Sequence, residues 1–101
     1  MDGKIIQEPL TQQGASLAQM CTIQANYGTD KIARLYCPFI PRLVVFQMIN
    51  LNNQSIYMGC NNILTNLYRG DTLAYTYSDS TIAVTGMGVS TTHEYTLTAF
   101  G

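Results

Sequence analysis

Four side chains in this sequence have the chemistry of a nucleophile or a base: Cys21, Cys37, Cys60 and the single imidazole, His93. A thiol enzyme needs a cysteine, an imidazole and an acid that orients it, all brought together. Glu94 follows His93 directly, but each cysteine falls in a stretch that reads as a β-strand. A thiol packed in a strand is inert. His93 then reads as a loop or strand-edge residue bonded to a backbone carbonyl. The acidic residues Asp2, Glu8, Asp30, Asp71, Asp79 and Glu94 include no close pair suited to glycoside hydrolysis and no calcium-loop run. Phosphate-cradling motifs are absent, and the cysteines lack the short paired spacing of a zinc site. They read as three reduced, buried thiols, with one late-formed disulfide as the alternative and three pairings open to it. No catalytic residue, metal or cofactor is assigned, and an enzyme is not expected.

Binding chemistry rests on the seven tyrosines, which stand in a chain without tryptophan. Amphipathic rings of this kind stack on sugars or fill an interface. Tyr27, Tyr57 and Tyr68 lie in or near turns and are the candidate contacts for a glycan or a protein partner. Tyr36, Tyr75, Tyr77 and Tyr95 lie on strands and read as core or subunit contacts. Arg69-Gly70-Asp71 matches an integrin-binding tripeptide, but so short a motif recurs by chance and is read as a turn.

These residues sit in a chain of 101 residues, enough for one domain with a core of its own. Charged residues make up only 11% of it, against roughly 25% in an average soluble protein. Uncharged polar residues replace them: 12 Thr, 7 Asn, 7 Gln and 5 Ser. Such a surface repels its own copies little and can be covered without burying ions. The five basic residues Lys4, Lys31, Arg34, Arg42 and Arg69 are scattered, which argues against nucleic acid. No run approaches the roughly 20 apolar residues of a membrane-spanning helix. The first residues lack the apolar stretch of a secretory signal, so synthesis and folding in a cytoplasm are expected.

Leu43–Ile49 is the most apolar and β-prone run, with Gln47 as its only polar residue, and is expected to be a central strand buried on both faces. Pro38 and Pro41 stiffen the approach to it. Residues 1–18 carry no strong period and read as an extended arm, whose Pro9, Leu10 and Leu17 are candidate anchors on a larger assembly. From Gln19 the period becomes two. A strand through Cys21, Ile23 and Ala25 and a second over Lys31–Cys37 most simply form a hairpin about the turn at 26–30. After the central strand and a polar turn, Ser55–Cys60 alternates Ile56, Met58 and Cys60 against Tyr57 and Gly59 and should pair with it. Ile63–Tyr68 reads as irregular or as one short strand. Thr72–Ser78 and Thr81–Thr85 follow, then a glycine-bearing loop, then Glu94–Phe100. That last strand, followed only by Gly101, is expected inside the sheet. About eight short strands without a convincing helix indicate an all-β fold. The expected form is a compact antiparallel β-sandwich or small barrel over 19–101.

The run Phe39-Ile40-Pro41-Arg42-Leu43-Val44 resembles the F-x-P-K/R-x-V strand start of small β-sandwich modules in bacteriophage tail, fibre and decoration proteins. Ser80–Gly86, the loop after it and Tyr95-Thr96-Leu97-Thr98-Ala99-Phe100-Gly101 resemble the ending of those modules. Gln24–Thr29 resembles their first hairpin. Leu97 stands where they usually carry an aromatic. The resemblance implies a non-enzymatic virion structural protein, assembled in a host cytoplasm. It would be a homo-oligomer, trimers being favoured, that touches other virion proteins and attaches through its arm. A carbohydrate-binding module for host adhesion is the alternative.

Overall fold

The computed structural model describes residues 19–49, 54–85 and 93–101. The arm with Pro9, Leu10 and Leu17, the turn at 50–53 and the loop at 86–92 lie outside those residues. Among the described residues the chain is all-β. Its strands are β1 (Met20–Asn26), β2 (Ala33–Tyr36), β3 (Leu43–Ile49), β4 (Gln54–Cys60), β5 (Ile63–Asn66), β6 (Thr72–Ser78), β7 (Thr81–Thr85) and β8 (Glu94–Phe100). No helix among these residues is long and apolar enough to cross a membrane.

Every ladder is antiparallel, and the strands form one sheet in the order β1-β8-β3-β4-β5-β6-β7-β2. The sheet rolls until β2, at one end, lies against β8 and β1 at the other. It is nearly closed, and its opposite walls enclose one core as the two layers of a sandwich do. Phe46, Leu64, Ile82, Leu97, Val44 and Val84 are the largest wholly buried side chains. They come from four different strands, spread from β3 to β8, which is why no smaller piece of the chain could bury them.

Alternation decides which side chains face in. On β3, Val44 and Phe46 are fully buried while Leu43, Val45 and Gln47 are half-buried. The central run is therefore buried on one face and only partly covered on the other, a correction to the two-sided burial its composition suggests. β4 pairs with β3 as expected. Its inward residue, however, is Tyr57, so Ile56, Met58 and Cys60 belong to the outer face. β8 lies between β1 and β3, inside the sheet as the sequence led us to expect. Two turns are also legible locally. Asn61-Asn62 and Asp79-Ser80 all have positive φ, the conformation of two-residue hairpin loops that Asn and Asp tolerate.

The hairpin expected between β1 and β2 does not form. β1 pairs with β8, and β2 pairs with β7. Strand direction alternates around the sheet, so β1 and β2 are antiparallel neighbours across an open seam without a ladder of their own. Their connection has its own order instead: the Lys31 N–H donates to Gly28 O (2.9 Å) and the Ile32 N–H to Asp30 Oδ1 (3.1 Å). Tyr27 turns inward against Tyr95, ring centroids 5.0 Å apart. That burial draws the connection over the end of the barrel and away from a tight turn.

Candidate functional site

Of the three tyrosines expected to face a partner, two lie inside the barrel. Tyr27 is 4% exposed and Tyr57 is 3% exposed, whereas Tyr68 is 84% exposed. Tyr27 and Tyr57 end a buried aromatic row that runs through Tyr95 and Phe46, with centroid spacings of 5.0, 6.3 and 6.2 Å. Their proximity to turns misled because a ring at a turn can fold back over the strand ends as easily as it can point outward. Burial pushes the Tyr27 hydroxyl well above the usual tyrosine range. Of the strand tyrosines, Tyr75 and Tyr95 are buried, Tyr77 is half-buried and Tyr36 is exposed.

The end of the barrel that carries Tyr68 is built by the turn between β5 and β6. Asn66 is buried and its Oδ1 accepts the N–H groups of Tyr68 and Arg69, both at 2.8 Å. Its amide nitrogen is buried without a hydrogen-bond partner. Gly70, at φ +81°, supplies the left-handed residue that the turn needs. Arg69 and Asp71 then point at one another, with Nε to Oδ1 at 3.0 Å. The Tyr57 hydroxyl donates to Asp71 Oδ2 at 2.7 Å and accepts from Arg69 Nη2 at 3.1 Å. The Arg69 and Tyr57 hydrogen bonds hold the Asp71 carboxyl below its ordinary value. Burial and the bond to Asp71 raise that of Tyr57. The tripeptide is thus a turn whose two charged side chains are paired with each other, leaving Tyr68 and Leu67 as its projecting groups.

The outer wall shows what the linear pattern hides. Within the eight strands only Arg34 and Glu94 are charged, so the charges lie mainly in turns. The ladders align Thr22, Thr98, Val45, Met58 and Thr65 in one row across β1, β8, β3, β4 and β5. Ile63 and Leu67, each 54% exposed, flank that row together with Ile56 and Cys60. The face is uncharged, with apolar side chains at its centre and hydroxyls toward β1, where Thr22 and Thr98 share a hydrogen bond of 2.8 Å. Val45, Met58 and Ile63 are the residues a reading of the sequence misses. For Met58 the only linear signal is an apolar alternation on β4 that looks like a core face.

At the opposite end, a shallow hollow of about 260 Å³ is lined by Ile40, Pro41, Asn61, Asn62, Tyr75 and Tyr77. Two of its polar groups are engaged: Asn62 Nδ2 donates to Tyr75 O and the Tyr77 hydroxyl to Cys37 O, both at 3.0 Å. Among the described residues no group of three His, Cys, Asp or Glu side chains is placed to hold a metal ion. The His93 carbonyl accepts from the Tyr27 N–H (3.3 Å) and from Asn26 Nδ2 (3.4 Å). Cys21 sits opposite Ala99, six extended residues or roughly 20 Å along β8 from His93. Cys21 is half-buried, Cys37 buried and Cys60 exposed, and all three are free thiols. No family model, curated protein or solved structure matches the chain.

Proposed function

We propose that this protein is a non-enzymatic structural module that self-associates through the uncharged outer face of β3, β4 and β5. The observation that carries the reading is the row Val45, Met58 and Thr65 with Ile63 and Leu67 beside it, on strands that contain no charged residue. A second copy seated there would remove apolar side chains from water without stripping ions of their hydration, so association is driven by the hydrophobic effect at little electrostatic cost. A bacteriophage appendage or decoration protein, trimeric and attached through residues 1–18, is the setting we infer. That setting is supported by the sequence resemblance alone. Sedimentation velocity of the full chain tests the association. Wild type is expected to sediment as an oligomer and Met58→Lys with Ile63→Lys as a folded monomer. A wild-type chain that stays monomeric across its soluble range overturns the reading.

The exposed ring of Tyr68 favours a second reading, a glycan-binding module for host adhesion. The turn beneath it is held by Asn66 and by the Arg69–Asp71 pair, so the ring is presented on a rigid support. A glycan array on which wild type binds and Tyr68→Ala does not would favour this reading. An array blank for wild type removes it.

A further inference from the structure

The topology separates the three thiols in a way the sequence leaves open. Cys21 is the second residue of β1, and Cys37 follows the last residue of β2. Those strands are the two free edges of the rolled sheet and run antiparallel across the seam, so the start of one and the end of the other meet at the same end of the barrel. Both side chains face the core, where Cys37 is wholly buried and Cys21 packs beside it. The Cys37 thiol lies near enough to help raise the Cys21 pKa, while its own S–H donates to Phe39 O at 3.0 Å. Cys60 is exposed, on the outer wall, with β8 and β3 between its strand and β1. That is about 14 Å of strand spacing from Cys21, beyond the reach of a disulfide.

We propose that Cys21 and Cys37 are the two halves of a disulfide that closes the seam of the barrel, with Cys60 left as the free thiol. Cys37 is the fixed half. Its N–H donates to Ser80 O at 2.7 Å and its carbonyl accepts from the Tyr77 hydroxyl at 3.0 Å. Cys21 is the half that solvent reaches. The oxidant is a small disulfide such as oxidised glutathione. The Cys21 thiolate attacks one of its sulfurs and expels one glutathione thiolate. The Cys37 thiolate then attacks the Cys21 sulfur of the mixed disulfide and expels the second. Two thiol protons leave the protein, and two electrons reduce one glutathione disulfide to two glutathione thiols. Burial and the neighbouring thiol raise the Cys21 pKa to about 11, so little thiolate is present near neutrality and the exchange quickens with each step up in pH. The bond would tie the seam at the end opposite the Tyr95–Arg34 bridge (Tyr95 Oη to Arg34 O, 3.2 Å). The inference is independent of self-association, since it concerns the inner wall.

The test uses the full chain carrying Cys60→Ser, incubated with oxidised glutathione at mildly alkaline pH and read by intact mass and peptide mapping. We expect the loss of two hydrogens and a cross-linked peptide pair containing Cys21 and Cys37. The melting temperature should rise by roughly 10 °C, reversibly with dithiothreitol, because the bond closes a short loop of the unfolded chain. Glutathione adducts that accumulate without the cross-link, or two thiols that remain alkylatable, overturn the proposal. Cys21→Ser on the same background changes the half-exposed partner and leaves the buried one intact. It should melt like the reduced protein and ignore the oxidant; an equal response to oxidant also overturns the proposal.

Discussion

The hydroxyl of Tyr95 lies 3.2 Å from both the N–H and the carbonyl oxygen of Arg34, accepting from one and donating to the other. One side chain on β8 thereby supplies the two hydrogen bonds that a paired strand would give β2 at this point. The seam is held by a phenol where the sheet lacks a ladder. Tyr95→Phe removes both bonds and keeps the ring against Tyr27 and Phe46. The expected cost is about 1–2 kcal/mol in urea denaturation, with faster amide hydrogen exchange at Arg34. An unchanged midpoint and unchanged exchange would show that the seam closes without this contact.

Gly59 marks the tightest approach of β4 to β5. A Cβ at this position would stand 2.0 Å from Ile63 O, a backbone atom that cannot swing away. Gly59→Ala is therefore expected to destabilise by roughly 3 kcal/mol or more, as strain at a close backbone contact does. Gly28→Ala is the control. Its Cβ would meet only Asp30 Oδ1, at an ordinary 3.5 Å, and the change should stay within about 0.5 kcal/mol. Equal melting temperatures for the two variants would contradict the packing described for β4 and β5.

Asp71 ties acid stability to the turn between β5 and β6. The hydrogen bonds from Arg69 and Tyr57 lower its carboxyl in the folded state. The unfolded chain therefore takes up this proton first as pH falls. The stabilising contribution is complete above the ordinary aspartate range and is lost as pH drops through the lowered folded value. Asp71→Asn should be less stable than wild type near neutrality and should converge with it at the acid end. Denaturation midpoints across the acid limb check this. Two curves that fall in parallel would mean that the carboxylate contributes nothing. Asp30, lowered by Arg34 and by the Ile32 N–H, is unchanged in both proteins and cancels from the difference.

How far the sequence carries depends on the range of the interaction. Period-two alternation fixed by the pleat made most strands and their inward faces legible, as with Leu73, Tyr75 and Tyr77 on β6 or Ile82 and Val84 on β7. Asn61-Asn62 and Asp79-Ser80 announced their turns because few other residues adopt positive φ at low cost. Each of these depends on a residue and its near neighbours in the chain. Which edge β1 pairs with and where the ring of Tyr27 lies depend on β8 and Tyr95, far away in sequence, and which face of β4 turns in depends on the core that the whole sheet encloses. A hairpin of β1 and β2 satisfies the same local preferences as the observed pairing. Only the simultaneous burial of Val44, Phe46, Leu64, Leu97 and Ile82 distinguishes them.

The chain by itself determined an all-β domain with its charges kept mainly to turns, since composition and alternation are properties of the linear order. The folded structure alone decided that Tyr57 is core and Tyr68 is surface, that Val45, Met58 and Ile63 share one outer wall, and that Cys21 and Cys37 lie at the same end of the seam. The reason is geometric. Closing a sheet brings together residues from opposite ends of the ladder order, and that closure is set by the core as a whole.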